Sequence, residues 1–79
     1  SAPMNYLATE LAWAFRARRV QLNLPLRSVA KRAGLTTPQL HRLLTGQHNF
    51  TIRTAVRIAD ALDLDLRLTL TDGSMDLAA

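Results

Sequence analysis

The sequence predicts a mainly α domain of four helices with one β-strand near its C-terminal end. Three observations carry this. Apolar residues recur at helical spacing through most of the chain. Pro25, Gly34, Pro38 and Gly46 punctuate that pattern at short intervals. Only the stretch "LDLDLRLTLTD", residues 62–72, turns to period two, with Leu64, Leu66, Leu68 and Leu70 alternating with Asp65, Arg67, Thr69 and Thr71.

The first helix is expected over about residues 5–22, with Leu7, Leu11, Ala14, Phe15, Arg18 and Leu22 at helical spacing. Arg16, Arg18 and Arg19 fall in its last turns, where cations suit the helix dipole. Tyr6, Trp13 and Val20 form a second stripe, suited to packing or to a partner. Pro25 opens a short second helix that must stop at Gly34. The turn Gly34-Leu35-Thr36 follows. Pro38 fits the first position of a third helix, where its missing N–H costs nothing. The residue before a proline avoids the α region, which makes Thr37 the expected N-cap. This helix runs to Leu44 or Thr45 and is closed by Gly46. After the loop "GQHNF", Thr51 caps a fourth helix. Ile52, Ala55, Val56, Ala59 and Leu62 mark its expected buried face, with Ile58 at the edge.

The resulting organisation is one helical domain over residues 4–63, a strand over 64–71 and a tail over 72–79. Ser1-Ala2-Pro3 before Met4 reads as an expression remnant, with a native start expected at Met4. With 79 residues the core is only marginally sufficient alone, so a partner subunit would help. There is no cysteine, which excludes disulfides and thiolate metal sites and fits a reducing, cytoplasmic compartment. No apolar run reaches the length of a membrane span. The net charge of +4 is unevenly distributed. Residues 1–59 hold nine Lys/Arg and one acid, Glu10, giving 9 − 1 = +8. Residues 60–79 hold Arg67 and five Asp, giving 1 − 5 = −4. The basic part is where a polyanion would bind, and the acidic part suits protein contacts.

Two short helices joined by a short turn with glycine make a helix-turn-helix unit. Such helices cross closely, which demands small residues, a glycine and apolar facing sides. Val29, Ala30 and Ala33, then Gly34, then Leu35, Leu40 and Leu43 supply these in register. The stretch "RVQLNLPLRSVAKRAGLTTPQLHRLLTG" followed by "TIRTAVRIADAL" resembles the Xre family, the helix-turn-helix class of phage repressors. "LHRLLTGQHNFTIRTAVRIADALDLDLRL" is especially similar to small Xre members that act as antidotes in toxin–antitoxin pairs. The resemblance implies a repressor-like four-helix domain and a homodimer that binds an operator near its own promoter.

Carried over by position, the resemblance places the third helix in the major groove of double-stranded DNA. Thr37, Pro38, His41 and Arg42 are then its base-reading residues, with Gln39 and Thr45 further candidates. The fork of Arg42 fits O6 and N7 of guanine. Gln39 has the chemistry for adenine if it points inward, and Thr37 and Pro38 offer apolar surface to a thymine methyl. Arg16, Arg19, Gln47, His48 and Asn49 are expected at phosphates, with the amides at the start of the third helix. Arg53 opposes the dipole of the fourth helix, and Arg57 adds like-charge repulsion at i+4, unless Asp60 pairs with it. A phosphate docked there would resolve both.

The chain departs from the family where a glutamine is usual and Leu26 stands, and where a glutamate often pairs with the arginine matching Arg19 and Leu44 stands. Phe50 takes the place of a common proline and Asp63 that of a glycine. His41 and His48 lack a third ligand for a metal, and the three serines lack an activating base, so no metal, cofactor or enzymatic activity is expected.

The leading expectation is a homodimeric repressor of a phage, mobile-element or toxin–antitoxin operon, reading an inverted repeat. The alternative is an antidote whose main partner is a toxin. A single unit reads few base pairs, so the strand is expected to pair antiparallel with its copy in a homodimer, through Leu64, Asp65, Leu66, Arg67, Leu68 and Leu70. A register centred on Leu66 would set Asp65 opposite Arg67 of the other chain. The rival is an intrachain hairpin turning at Asp72-Gly73, with Leu70 beside Met75 and Leu68 beside Leu77.

Overall fold

The structure, a computed structural model, describes residues 4–46 and 48–72, with side chains from residue 6 onward. Ser1-Ala2-Pro3, Gln47, the second arm of the expected hairpin and the rest of the tail lie outside the described residues. Four helices follow in order: α1, Met4–Gln21; α2, Leu26–Ala33; α3, Thr37–Leu44; and α4, Ile52–Ala61. α2 packs on α3 and α4, and α1 closes the bundle against α3 and α4.

Phe15, Val29, Leu40, Ile58 and Leu62 are the large side chains most completely withdrawn from solvent. Ala30, Ala33, Ala59 and Ala61 surround them, and their small size lets the short helices approach. Phe50, half-buried, meets Phe15 edge to face with ring centroids 5.6 Å apart, and so ties the loop before α4 to α1.

The buried faces of two helices differ from expectation. In α1 the core side is Ala8, Ala12 and Phe15 with Leu11 half-buried, while Leu7 and Ala14 are exposed. In α4 Ile58 is fully buried at the centre of the core, not at its edge. Val56 lies two residues away, about 200° round the helix, so it cannot share that core. Ile52 and Val56 are accordingly exposed.

The N-cap of α3 is Thr36, one residue before the expected Thr37. Its hydroxyl accepts the backbone N–H of Gln39 at 3.2 Å, and Gln39 Oε1 accepts the backbone N–H of Thr36 at 2.9 Å. This reciprocal capping box outweighs the bias against helical geometry before Pro38. Proline still costs nothing in the first turn, where backbone N–H groups have no partner inside the helix.

Three helices end in the same hydrogen-bond pattern. Leu24, Leu35 and Leu64 donate their N–H groups back to the carbonyls of Arg19, Ala30 and Ala59. The residue before each donor is left-handed: Asn23 at φ 55°, Gly34 at φ 70° and Asp63 at φ 54°. Asn and Asp tolerate that region better than other non-glycine residues. Asp63 therefore takes the conformation that the expected glycine would supply. The end of α4 is also held from outside. Arg18 Nε donates to Leu62 O at 3.0 Å and its Nη2 to Asp63 O at 3.3 Å, while Arg32 Nη1 donates to Ala61 O at 3.4 Å. Two cations from α1 and α2 thus meet the negative end of the α4 dipole.

No strand forms among the described residues. Residues 64–72 leave α4 without regular structure. Leu64 packs on the core, while Leu66, Leu68 and Leu70 are exposed. A strand needs a ladder partner for its backbone, and no other described segment offers one. The expected pairing across a homodimer has no counterpart within a single chain.

Candidate nucleic-acid interface

The outer face of α3 follows from what its inner face must bury. Leu40 and Leu44 point into the core and Leu43 packs beside them. The helical period then sends Pro38, Arg42 and Thr45 to the opposite side, with Thr37 and His41 flanking. Thr37, Pro38, Gln39, His41, Arg42 and Thr45 are all exposed. The six expected base-reading residues therefore stand on one short helix over a rigid core.

Their states differ. Arg42 Nε reaches back to Pro38 O at 3.5 Å, too long to hold the guanidinium against a better acceptor. Thr45 turns its hydroxyl to Arg42 O at 3.0 Å and closes the helix end. The carbonyl of Gln39 is taken by the capping box, so a bidentate contact to adenine would require that box to open.

Gln39 and Arg42 share a shallow groove with His48, Asn49, Thr51 and Thr54. This groove joins α3 to the loop expected at phosphates. Thr51 caps α4 by accepting the N–H of Thr54 at 3.0 Å. Arg53 follows in the first turn, exposed, and Arg16 is exposed on α1. Neither guanidinium has a hydrogen bond or ion pair among the described residues.

Two arginines are engaged elsewhere. Arg19, expected at phosphate, is half-buried and donates from Nη1 to Leu24 O at 3.0 Å, bracing the α1–α2 loop. Its Nε is buried without a hydrogen-bond partner. Leu44, standing where a glutamate would pair with this arginine, is buried in the core. Arg57 Nη2 donates to Gly34 O at 3.1 Å, and no ion pair joins it to Asp60 among the described residues. It reaches from α4 onto the turn between α2 and α3, and a Cβ on Gly34 would collide with its guanidinium. Gly34 thus serves both a left-handed turn and a docked arginine. Arg27 and Lys31, exposed at i and i+4 along α2, are further cations of the unit.

Two short helices packed together and joined through the left-handed Gly34, with the second presenting its polar side outward, have the organisation of a helix-turn-helix unit. The model of a helix-turn-helix domain family matches residues 10–70, most of the chain. The chain belongs to that helix-turn-helix domain family. No curated protein matches it. As a helix-turn-helix DNA-binding protein, it has in α2 and α3 two short helices joined by a glycine turn, with α3 the second of the pair. No helix among the described residues is long and apolar enough to cross a membrane.

Proposed function

We propose that this helix-turn-helix protein is a sequence-specific transcriptional regulator, without catalytic activity, that binds an inverted-repeat operator as a homodimer and represses a phage, mobile-element or toxin–antitoxin operon in the cytoplasm. The observation that carries this reading is the exposed face of α3 centred on Arg42, whose guanidinium is held only by a long contact. Arg42 reads a guanine through O6 and N7. Pro38 and Thr37 meet a thymine methyl, and His41 lies beside them. Arg16, Arg53, His48 and Asn49 hold phosphates and set the orientation of α3, and Gln47 of the same loop is assigned with them. Arg19 contributes by fixing the α1–α2 loop.

Useful specificity takes two half-sites about 34–36 Å apart, related by the two-fold axis of a dimer. Residues 64–71 supply that axis by antiparallel pairing, with Asp65 opposite Arg67 of the second copy. Selection of bound duplexes from random DNA tests the reading. The expected product is an inverted repeat with a guanine at a fixed place in each half. Recovery of unrelated sequences, bound no more tightly than bulk DNA, would reject it. A toxin gene beside the coding sequence would favour the antidote variety of regulator over the phage variety.

A further inference from the structure

Leu7 and Trp13 of α1, Ile52 of α4 and Leu66 and Leu68 of the C-terminal segment line one continuous groove. Trp13 is 65 % exposed, Ile52 77 % and Leu68 76 %. None of these side chains serves the core, and contiguous apolar surface of this kind marks an interaction site on a protein. Two charges stand at the same groove: Glu10, the one acid of residues 1–59, and Arg67, the one base of residues 60–79.

We infer that this groove is the seat of a second copy of the chain, with Trp13 as its buried anchor. The inference rests on the homodimer proposed above and extends its interface from the C-terminal segment to α1. Leu66, Arg67 and Leu68 line the groove, and their segment lacks a ladder partner among the described residues, so a partner that pairs with this segment must also lie over the groove. The charge pattern selects the same chain. Arg67 Nε holds its own Asp65 at 2.8 Å, and both are exposed. With Leu66 on a two-fold axis, each Arg67 meets the Asp65 of the other copy, twice over. The leucines of the second segment then cover Trp13 and Leu7, surface of the kind that forms the core of an interface. The groove includes none of Thr37, Pro38, His41, Arg42 or Thr45, so both faces can be occupied together.

Trp13 is the only tryptophan, so the whole chain reports on its own groove. Tryptophan emission and acrylamide quenching are followed across a dilution series beside sedimentation. The expected result is a blue shift and a several-fold fall in quenching that track dimer formation. A dimer whose Trp13 stays as quenchable as in dilute solution overturns the groove while leaving the homodimer intact. A chain that stays monomeric overturns both. Protection independent of concentration means the chain covers itself, and also overturns the inference. Trp13→Glu, on an exposed helix face, is expected to keep the circular dichroism of the parent and its base preference, but to sediment as a monomer and protect one half-site. Leu68→Glu is expected to abolish the concentration-dependent blue shift with Trp13 in place. If either folded variant dimerises like the parent, the inference fails.

Discussion

The molecule carries two exposed faces with opposite chemistry. The outer side of α3 is polar and basic, and it is backed by Leu40 and Leu44 in the core. The groove between α1 and the C-terminal segment is apolar, with Trp13 and Leu68 uncovered. The first face is carried by a helix that one chain fixes by itself, through the Thr36–Gln39 capping box and the packing of Leu40 and Leu44. The second stays uncovered, and its last segment has no ladder partner among the described residues. A domain this small can place a reading helix alone, yet cannot also bury all of its apolar surface.

Phe15→Ala is expected to have the largest effect, because it undermines both faces at once. It removes a fully buried ring and the edge contact to Phe50, at a cost of about 3–5 kcal/mol. Thermal melting should show it as a large fall in Tm with DNA binding and assembly lost together. Arg42→Ala separates the faces. It should cost about 1–3 kcal/mol at one base pair, measured against an operator substituted there, and leave the sedimentation of the chain unchanged. Thr36→Ala breaks the capping box and should lower stability by about 1 kcal/mol in chemical denaturation.

A smaller effect sharpens the other face. Asp65→Arg and Arg67→Asp variants should each assemble poorly alone and assemble with each other when mixed, each cross-strand pair contributing about 0.2–1 kcal/mol. Sedimentation of the mixture against the separate variants checks this. Last, Arg16→Ala and Arg53→Ala should each weaken binding to every sequence alike and reduce the salt slope by about 1, read from affinities at several salt concentrations.

Most of the helical framework was legible in the chain because local signals agree with one another. Gly34, Pro38, Gly46 and Thr51 marked helix ends, and the small and apolar residues from Val29 to Leu43 marked the crossing. Thr36 was missed as N-cap because two local rules conflict at Thr37-Pro38, and the capping box prevailed. The inner faces of α1 and α4 were misjudged because both helices carry apolar residues on more than one side. Only tertiary packing decides whether Leu7 or Ala8, Val56 or Ile58, turns inward. The outward face of α3 was legible from the register of Leu40, Leu43 and Leu44, while a base-reading role for its residues came only from the family resemblance. The engagement of Arg19 with Leu24 O, and of Arg57 with Gly34 O 23 residues away, was not legible, since the second joins elements distant in sequence.

The grip of Arg18 and Arg32 on the last carbonyls of α4 has a consequence for timing along the double helix. Past Leu64 the chain leaves the core toward the segment that would join two copies, and the carbonyls so gripped, at residues 61–63, lie just before that departure. Each base pair of spacer turns the next half-site by about 34–36°. A slackened hinge would therefore let one dimer fit operators of neighbouring spacer lengths. Its loss would surface as tolerance of mis-spaced repeats, long before any single half-site was bound more weakly.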